Sequence, residues 1–119
     1  MATVQLTGTN FDKVVEDNDM VLVDFWATWC GPCRVFGPIY EKVSEAHPDI
    51  VFGKVDTDAE IELAQAYNIS SIPTLMVIRD GIVLHAQAGA LPERALEELI
   101  TKAREIDMDQ VRSEVAKAS

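Results

Sequence analysis

Two cysteines stand three positions apart in Cys30-Gly31-Pro32-Cys33, and the chain has no others. A disulfide between them closes a loop too small to take much entropy from the unfolded chain. Stabilisation is therefore a weak reason for the pair, and redox chemistry is a better one. Zinc would also need His47 and His85, whose spacing from Cys33 fits no compact zinc pattern. No metal site is expected, and inert core cysteines are the plain alternative. Pro32 suits the first turn of a helix, where its missing N–H costs nothing. Cys30 then lies at or just before the helix start, with Cys33 one turn inside on the same face. Free N–H groups and the helix dipole favour a thiolate at Cys30. Cys30 is expected to be the more acidic and more exposed sulfur, with Cys33 shielded. Cys30 would attack a substrate disulfide, and Cys33 would then attack Cys30 and release the reduced substrate.

Two charges stand inside apolar runs. Asp24 interrupts Met20-Val21-Leu22-Val23-Asp24-Phe25-Trp26, and Lys54 interrupts Ile50-Val51-Phe52-Gly53-Lys54-Val55-Asp56. If the two runs are neighbouring strands, the charges approach each other beneath the helix carrying the cysteines. Burial should raise the Asp24 pKa unless Lys54 pairs closely, and such a carboxyl can take a proton from Cys33. A buried ion pair without catalytic duty is the alternative for Asp24, and a side chain reaching to solvent is the alternative for Lys54. Trp26 is read as packing on the site from inside the fold. Trp29, beside Cys30, is read as exposed and available to a bound polypeptide. Arg34 either favours the thiolate or is a solvated surface charge. His47 and His85 are given no catalytic role.

These residues need a frame. Val4-Gln5-Leu6 reads as a short edge strand, and Thr9 or Asn10 caps a helix carrying Phe11, Val14 and Val15. Residues 20–26, apolar on both faces, read as a central strand covered on both sides. Val35, Phe36, Ile39, Tyr40, Val43 and Ala46 recur at helical spacing, with Pro38 expected to kink the helix. Residues 50–56 form a second inner strand. Asp58 caps a helix through Tyr67, and residues 74–79 form a third inner strand. Asp80-Gly81 is a hairpin turn before a return strand at 82–86. Leu96, Leu99, Ile100, Ala103 and Ile106 share one face of a last helix. Helices between the early strands imply parallel crossovers, and the tight final connection implies an antiparallel hairpin. Nothing from Glu93 to Ala118 is Gly or Pro, and a single helix there would run about 39 Å. Residues 106–119 are therefore a C-terminal extension beyond a domain at 1–105. It either frays, bends or packs as helix, with fraying preferred.

The 119 residues are 48% hydrophobic, enough for one real core and unlike a disordered chain. Ten basic against twenty acidic residues give a net charge of −10, which disfavours nucleic acid and anionic membranes as partners. No apolar run reaches the roughly 18 residues that span a bilayer. The N-terminus does not read as a secretory signal. A reducing, cytoplasmic setting is the expectation.

Taken together, Val23 to Arg34, Pro38, Lys54-Val55-Asp56, Ile72-Pro73-Thr74, Asp80-Gly81 and Gly89 resemble the thioredoxin family, over about Val4 to Arg104. The resemblance implies an α/β fold of three α/β/α layers, a five-stranded mixed sheet flanked by four helices. It implies Cys30 as nucleophile and Cys33 as resolving residue, supported by Asp24, Trp26, Lys54, Pro32 and Pro38. It implies a cis Ile72-Pro73 bond opposite the cysteines, with substrate lying along Trp29, Gly31, Ile72, Pro73, Gly89 and Ala90 by strand addition. It implies reduction of disulfide-containing proteins, no bound cofactor, and electrons from an NADPH-dependent thioredoxin reductase. The state is a monomer or, through an apolar rim at Trp29 and Pro32, a weak homodimer. A disulfide oxidase or isomerase of the same fold is the nearest competitor; those usually carry a histidine between the cysteines, and Gly31-Pro32 points to the reducing end. A redox-dependent binding module without turnover is the third reading.

Overall fold

The computed structural model describes residues 2–118. The strands are β1 (Thr3–Gln5), β2 (Met20–Trp26), β3 (Val51–Asp56), β4 (Thr74–Arg79) and β5 (Ile82–Ala88), forming one sheet in the order β1-β3-β2-β4-β5. The helices are α1 (Phe11–Asp17), α2 (Gly31–Glu45), α3 (Ile61–Ala66), α4 (Glu93–Glu105) and α5 (Met108–Ala118). β1, β2 and β3 run parallel, as their helical connections require. β4 runs antiparallel to β2 although α3 precedes it. The connection allows this because α3 has six residues and is followed by an irregular stretch before Thr74. The β4–β5 hairpin turns at Asp80 and Gly81, both with positive φ.

Alternation along β2 divides the core. Met20 and Leu22 join Phe36, Tyr40, Val43, Leu96 and Ile100 on the α2/α4 side. Val21, Val23 and Phe25 join Phe11, Val14, Leu63 and Tyr67 on the α1/α3 side. By the same period of two, Asp24 and Trp26 belong to the α2 side. Lys54 shares the parity of Phe52, which lies in the α2/α4 cluster, and Lys54 stands directly opposite Asp24 in the β2–β3 register. The fold thus brings both anomalous charges under the helix that carries the cysteines.

Local details depart from expectation. β1 ends at Gln5, and Leu6 is wholly buried with its N–H donating to the Lys54 carbonyl at 2.8 Å. Leu6 occupies the space that a Cβ on Gly53 would fill. Asn10 is the N-cap of α1, but its Oδ1 accepts from the Thr7 N–H at 2.7 Å rather than capping the helix. α3 starts at Ile61 behind Glu60, so Asp58 is not its cap. Pro38 lies inside α2, as expected.

The tail expected to fray is helical. The Arg79 Nη1 donates to the carbonyls of Ala103 at 3.0 Å and Ile106 at 2.9 Å, closing the end of α4. Asp107 Oδ1 then accepts from the N–H groups of Asp109 at 3.0 Å and Gln110 at 3.3 Å, capping α5. Met108 is buried, and Arg112 pairs with Asp80 at 2.6 Å, fixing α5 to the β4–β5 turn. A capped break thus replaces the single long helix.

Candidate active site

β2 ends at Trp26, and residues 27–30 carry the chain into α2. Cys30 is the N-cap of α2, with Pro32 in the first turn. The two cysteines form a disulfide with Cα atoms 5.2 Å apart. The Cys33 N–H donates to Cys30 Sγ at 3.2 Å, so an orphan helix donor is aimed at the first sulfur. That bond favours negative charge on Cys30 once the disulfide opens.

The expected difference in exposure is absent in this oxidised state. Cys30 is 3% exposed and Cys33 5%. Cys30 packs with Ala27, Cys33, Trp26 and Ile72, and its sulfur lies 3.7 Å from the Ile72 carbonyl oxygen. The Ile72-Pro73 peptide is cis, as the resemblance implied. Pro73 is buried, and its carbonyl accepts from the Gly89 N–H at 2.8 Å. Gly89 has φ +105°, a conformation that side chains strain to adopt. The segment at 72–73 is thereby tied to the β5–α4 connection. Gly31, Pro32, Gly89 and Ala90 are exposed.

Trp29 is 66% exposed, yet held: its Nε1–H donates to Asp58 Oδ2 at 2.9 Å. The Trp26 carbonyl accepts from Thr57 N–H at 2.9 Å and Thr57 Oγ1 at 3.0 Å. Arg34 is exposed at the surface, and both its Nε and Nη2 donate to the Thr28 carbonyl. Sequence reasoning missed Asp58, Thr57 and Thr28. Only the Asp58 carboxylate offered a signal, and it was equally suited to capping α3.

Beneath the cysteines, Asp24 is fully buried and neither carboxylate oxygen has a hydrogen-bond partner. Burial pushes its carboxyl up to about 7, while the Lys54 charge pulls the other way. Lys54 Nζ lies 5.0 Å from the centre of the Trp26 ring. A cleft of about 440 Å³ is lined by Cys33, Trp26, Pro38, Gly37 and Lys54, with Thr28, Arg34 and Glu41 at its walls. The cleft contains both Cys33 and the lysine that faces Asp24 across the β2–β3 ladder. Tyr40, fully buried, donates its hydroxyl to the Gly53 carbonyl at 2.8 Å. Burial and the charge of Asp24 both raise its pKa.

The sequence profile of the Thioredoxin family matches residues 2–102. A chain named putative thioredoxin 2 from Streptomyces coelicolor is 63% identical over 115 residues, covering 97% of this chain and 86% of that one. The thioredoxin of Bacillus subtilis is 40% identical over 103 residues, covering 86% of this chain and 98% of the relative. Among solved structures, a mutant thioredoxin from Halobacterium salinarum superposes with a TM-score of 0.81 at 38% identity, covering 88% of this chain and 93% of that one. Sequence, fold and an intact cysteine pair at a helix start agree: the chain belongs to the thioredoxin family and is a dithiol–disulfide oxidoreductase working through Cys30 and Cys33.

Proposed function

We propose that this oxidoreductase runs in the reducing direction on protein disulfides, with Cys30 as attacker and Cys33 as resolver. The observation that carries the reading is the Cys33 N–H aimed at the sulfur of an N-cap cysteine. In the reduced protein the Cys30 thiolate attacks one sulfur of a substrate disulfide, and the other substrate sulfur leaves as thiolate. Asp24 takes the proton of Cys33, by way of the cleft that Cys33 and Lys54 line. The Cys33 thiolate then attacks Cys30, forms the internal disulfide and releases the second substrate thiolate. Two electrons pass from the dithiol to the substrate. Trp26, Pro32, Pro38 and Lys54 support the pair. The substrate chain lies along Trp29, Gly31, Ile72, Pro73, Gly89 and Ala90.

An NADPH-dependent thioredoxin reductase would restore the dithiol. Residues 1–105 would act as the catalytic unit, with 106–119 as an appendage. A reducing compartment such as the cytoplasm suits this direction, although one structural relative is a mitochondrial thioredoxin from Saccharomyces cerevisiae. No helix among the described residues is long and apolar enough to cross a membrane.

The reading predicts a reduction potential for the Cys30/Cys33 couple near the general thioredoxin value of about −270 mV, measured by equilibration with a redox buffer. A potential near −120 to −180 mV would instead place the chain with oxidases and isomerases. Catalysed reduction of insulin by dithiothreitol separates a reductase from a binding module, which would give no acceleration.

A further inference from the structure

Arg34 stands where a cation is out of place. It is in the opening turns of α2, near the positive end of the helix dipole. Its charge alone could serve only by favouring a nearby thiolate. The guanidinium is committed elsewhere: Nε at 3.2 Å and Nη2 at 2.9 Å both donate to the Thr28 carbonyl. The backbone N–H of the same residue donates to the Cys30 carbonyl at 3.3 Å. The Arg34 side chain therefore grips the chain at Thr28, while its backbone N–H makes the ordinary first-turn helix bond to Cys30, with Trp29 between the two points. The Cys30 N–H closes the turn on the Ala27 carbonyl at 3.3 Å.

We propose that Arg34 is a positioning residue for disulfide exchange, whose planar fork clamps the Thr28 carbonyl and so holds Trp29 and Cys30 in place for attack. The proposal rests on Cys30 being the attacking sulfur. The planar fork donates twice to one carbonyl in a fixed geometry, where an ammonium is a single point. In-line attack on a disulfide tolerates little misplacement; an error near 1 Å can slow a reaction by about 100-fold. A clamp two residues from the sulfur is well placed to limit that error.

Three replacements separate clamp from charge. Arg34→Met removes both. Arg34→Lys keeps the charge and loses the fork. Citrulline at the same position, introduced by semisynthesis, keeps the Nε–H and terminal NH₂ donors and loses the charge. Insulin reduction and the thiolate absorbance titration of Cys30 are the readouts. Arg34→Met and Arg34→Lys are each expected to lower kcat/KM about tenfold. The citrulline protein is expected to stay within about twofold of the unaltered chain, with an unmoved Cys30 titration. A citrulline protein as slow as Arg34→Met, with Arg34→Lys restored and the Cys30 titration shifted upward, would overturn the clamp in favour of charge. Unchanged rates in all three would overturn it outright. Absence of turnover in the unaltered chain would overturn the reductase reading and the clamp with it.

Discussion

Cys30→Ser is expected to abolish turnover of protein disulfides, lowering it on the order of 10³-fold, because the group that opens the substrate is gone. Cys33→Ser should fail differently. Cys30 remains able to attack, but no second thiol releases the product, so a mixed disulfide with substrate accumulates after one turnover. Intact-mass spectrometry after a single mixing with a disulfide peptide distinguishes the two variants. The Cys33 variant should gain the mass of one substrate half, and the Cys30 variant should gain none. The reverse pattern would exchange the roles of the two sulfurs. The asymmetry follows from position: the Cys33 N–H serves the sulfur of Cys30, whereas Cys33 lies one turn inside α2 against the cleft over Lys54.

Asp24→Asn is expected to change the pH dependence of stability by about 4 kcal/mol. The folded-state carboxyl is raised from 3.8 to about 7, chiefly by burial. Between those values the folded protein holds a proton that the unfolded chain has lost. The stability from that proton is fully present below the unfolded pKa and is lost as pH rises through 7. A difference of one pH unit between the folded and unfolded pKa is worth about 1.4 kcal/mol. Denaturant unfolding of the oxidised proteins from pH 4 to 9 should show unaltered protein losing ground to Asp24→Asn as pH rises, the gap levelling above about pH 7. Lys54→Met should push the Asp24 carboxyl higher, because the Lys54 charge lowers it. In the reduced enzyme Asp24→Asn should slow resolution by Cys33 near neutral pH by about 100-fold, the lower range for a lost general base. Parallel stability curves for the two proteins would show that Asp24 is not held protonated by the fold.

The parts of this molecule that local pattern determines were legible in the chain. The cysteines, the proline between them and the apolar run after them specify a helix start whose first sulfur meets a free N–H. The strand at 20–26 advertised two-sided burial, and that burial made Asp24 conspicuous. The Asp80-Gly81 turn carried its own backbone chemistry. Contacts that depend on tertiary approach were not legible. Nothing local links Trp29 to Asp58, Arg34 to the Thr28 carbonyl, or Arg79 to the end of α4. The burial of Cys30 was misjudged for the same reason, since the Ile72 carbonyl reaches its sulfur from a distant loop. The tail differs. Asp107 followed three residues later by Gln110 is a capping pattern, and the absence of Gly and Pro concealed the break.

The proposed exchange depends on Cys30 being the easily ionised sulfur of the pair. Rate measurements of iodoacetamide modification on the reduced protein, with each cysteine read by peptide mass across pH 5 to 10, test it directly. Cys30 is expected to be modified first at pH 7, with an apparent pKa below the free-thiol value of about 8.5. Faster modification of Cys33 than of Cys30 at that pH would contradict it.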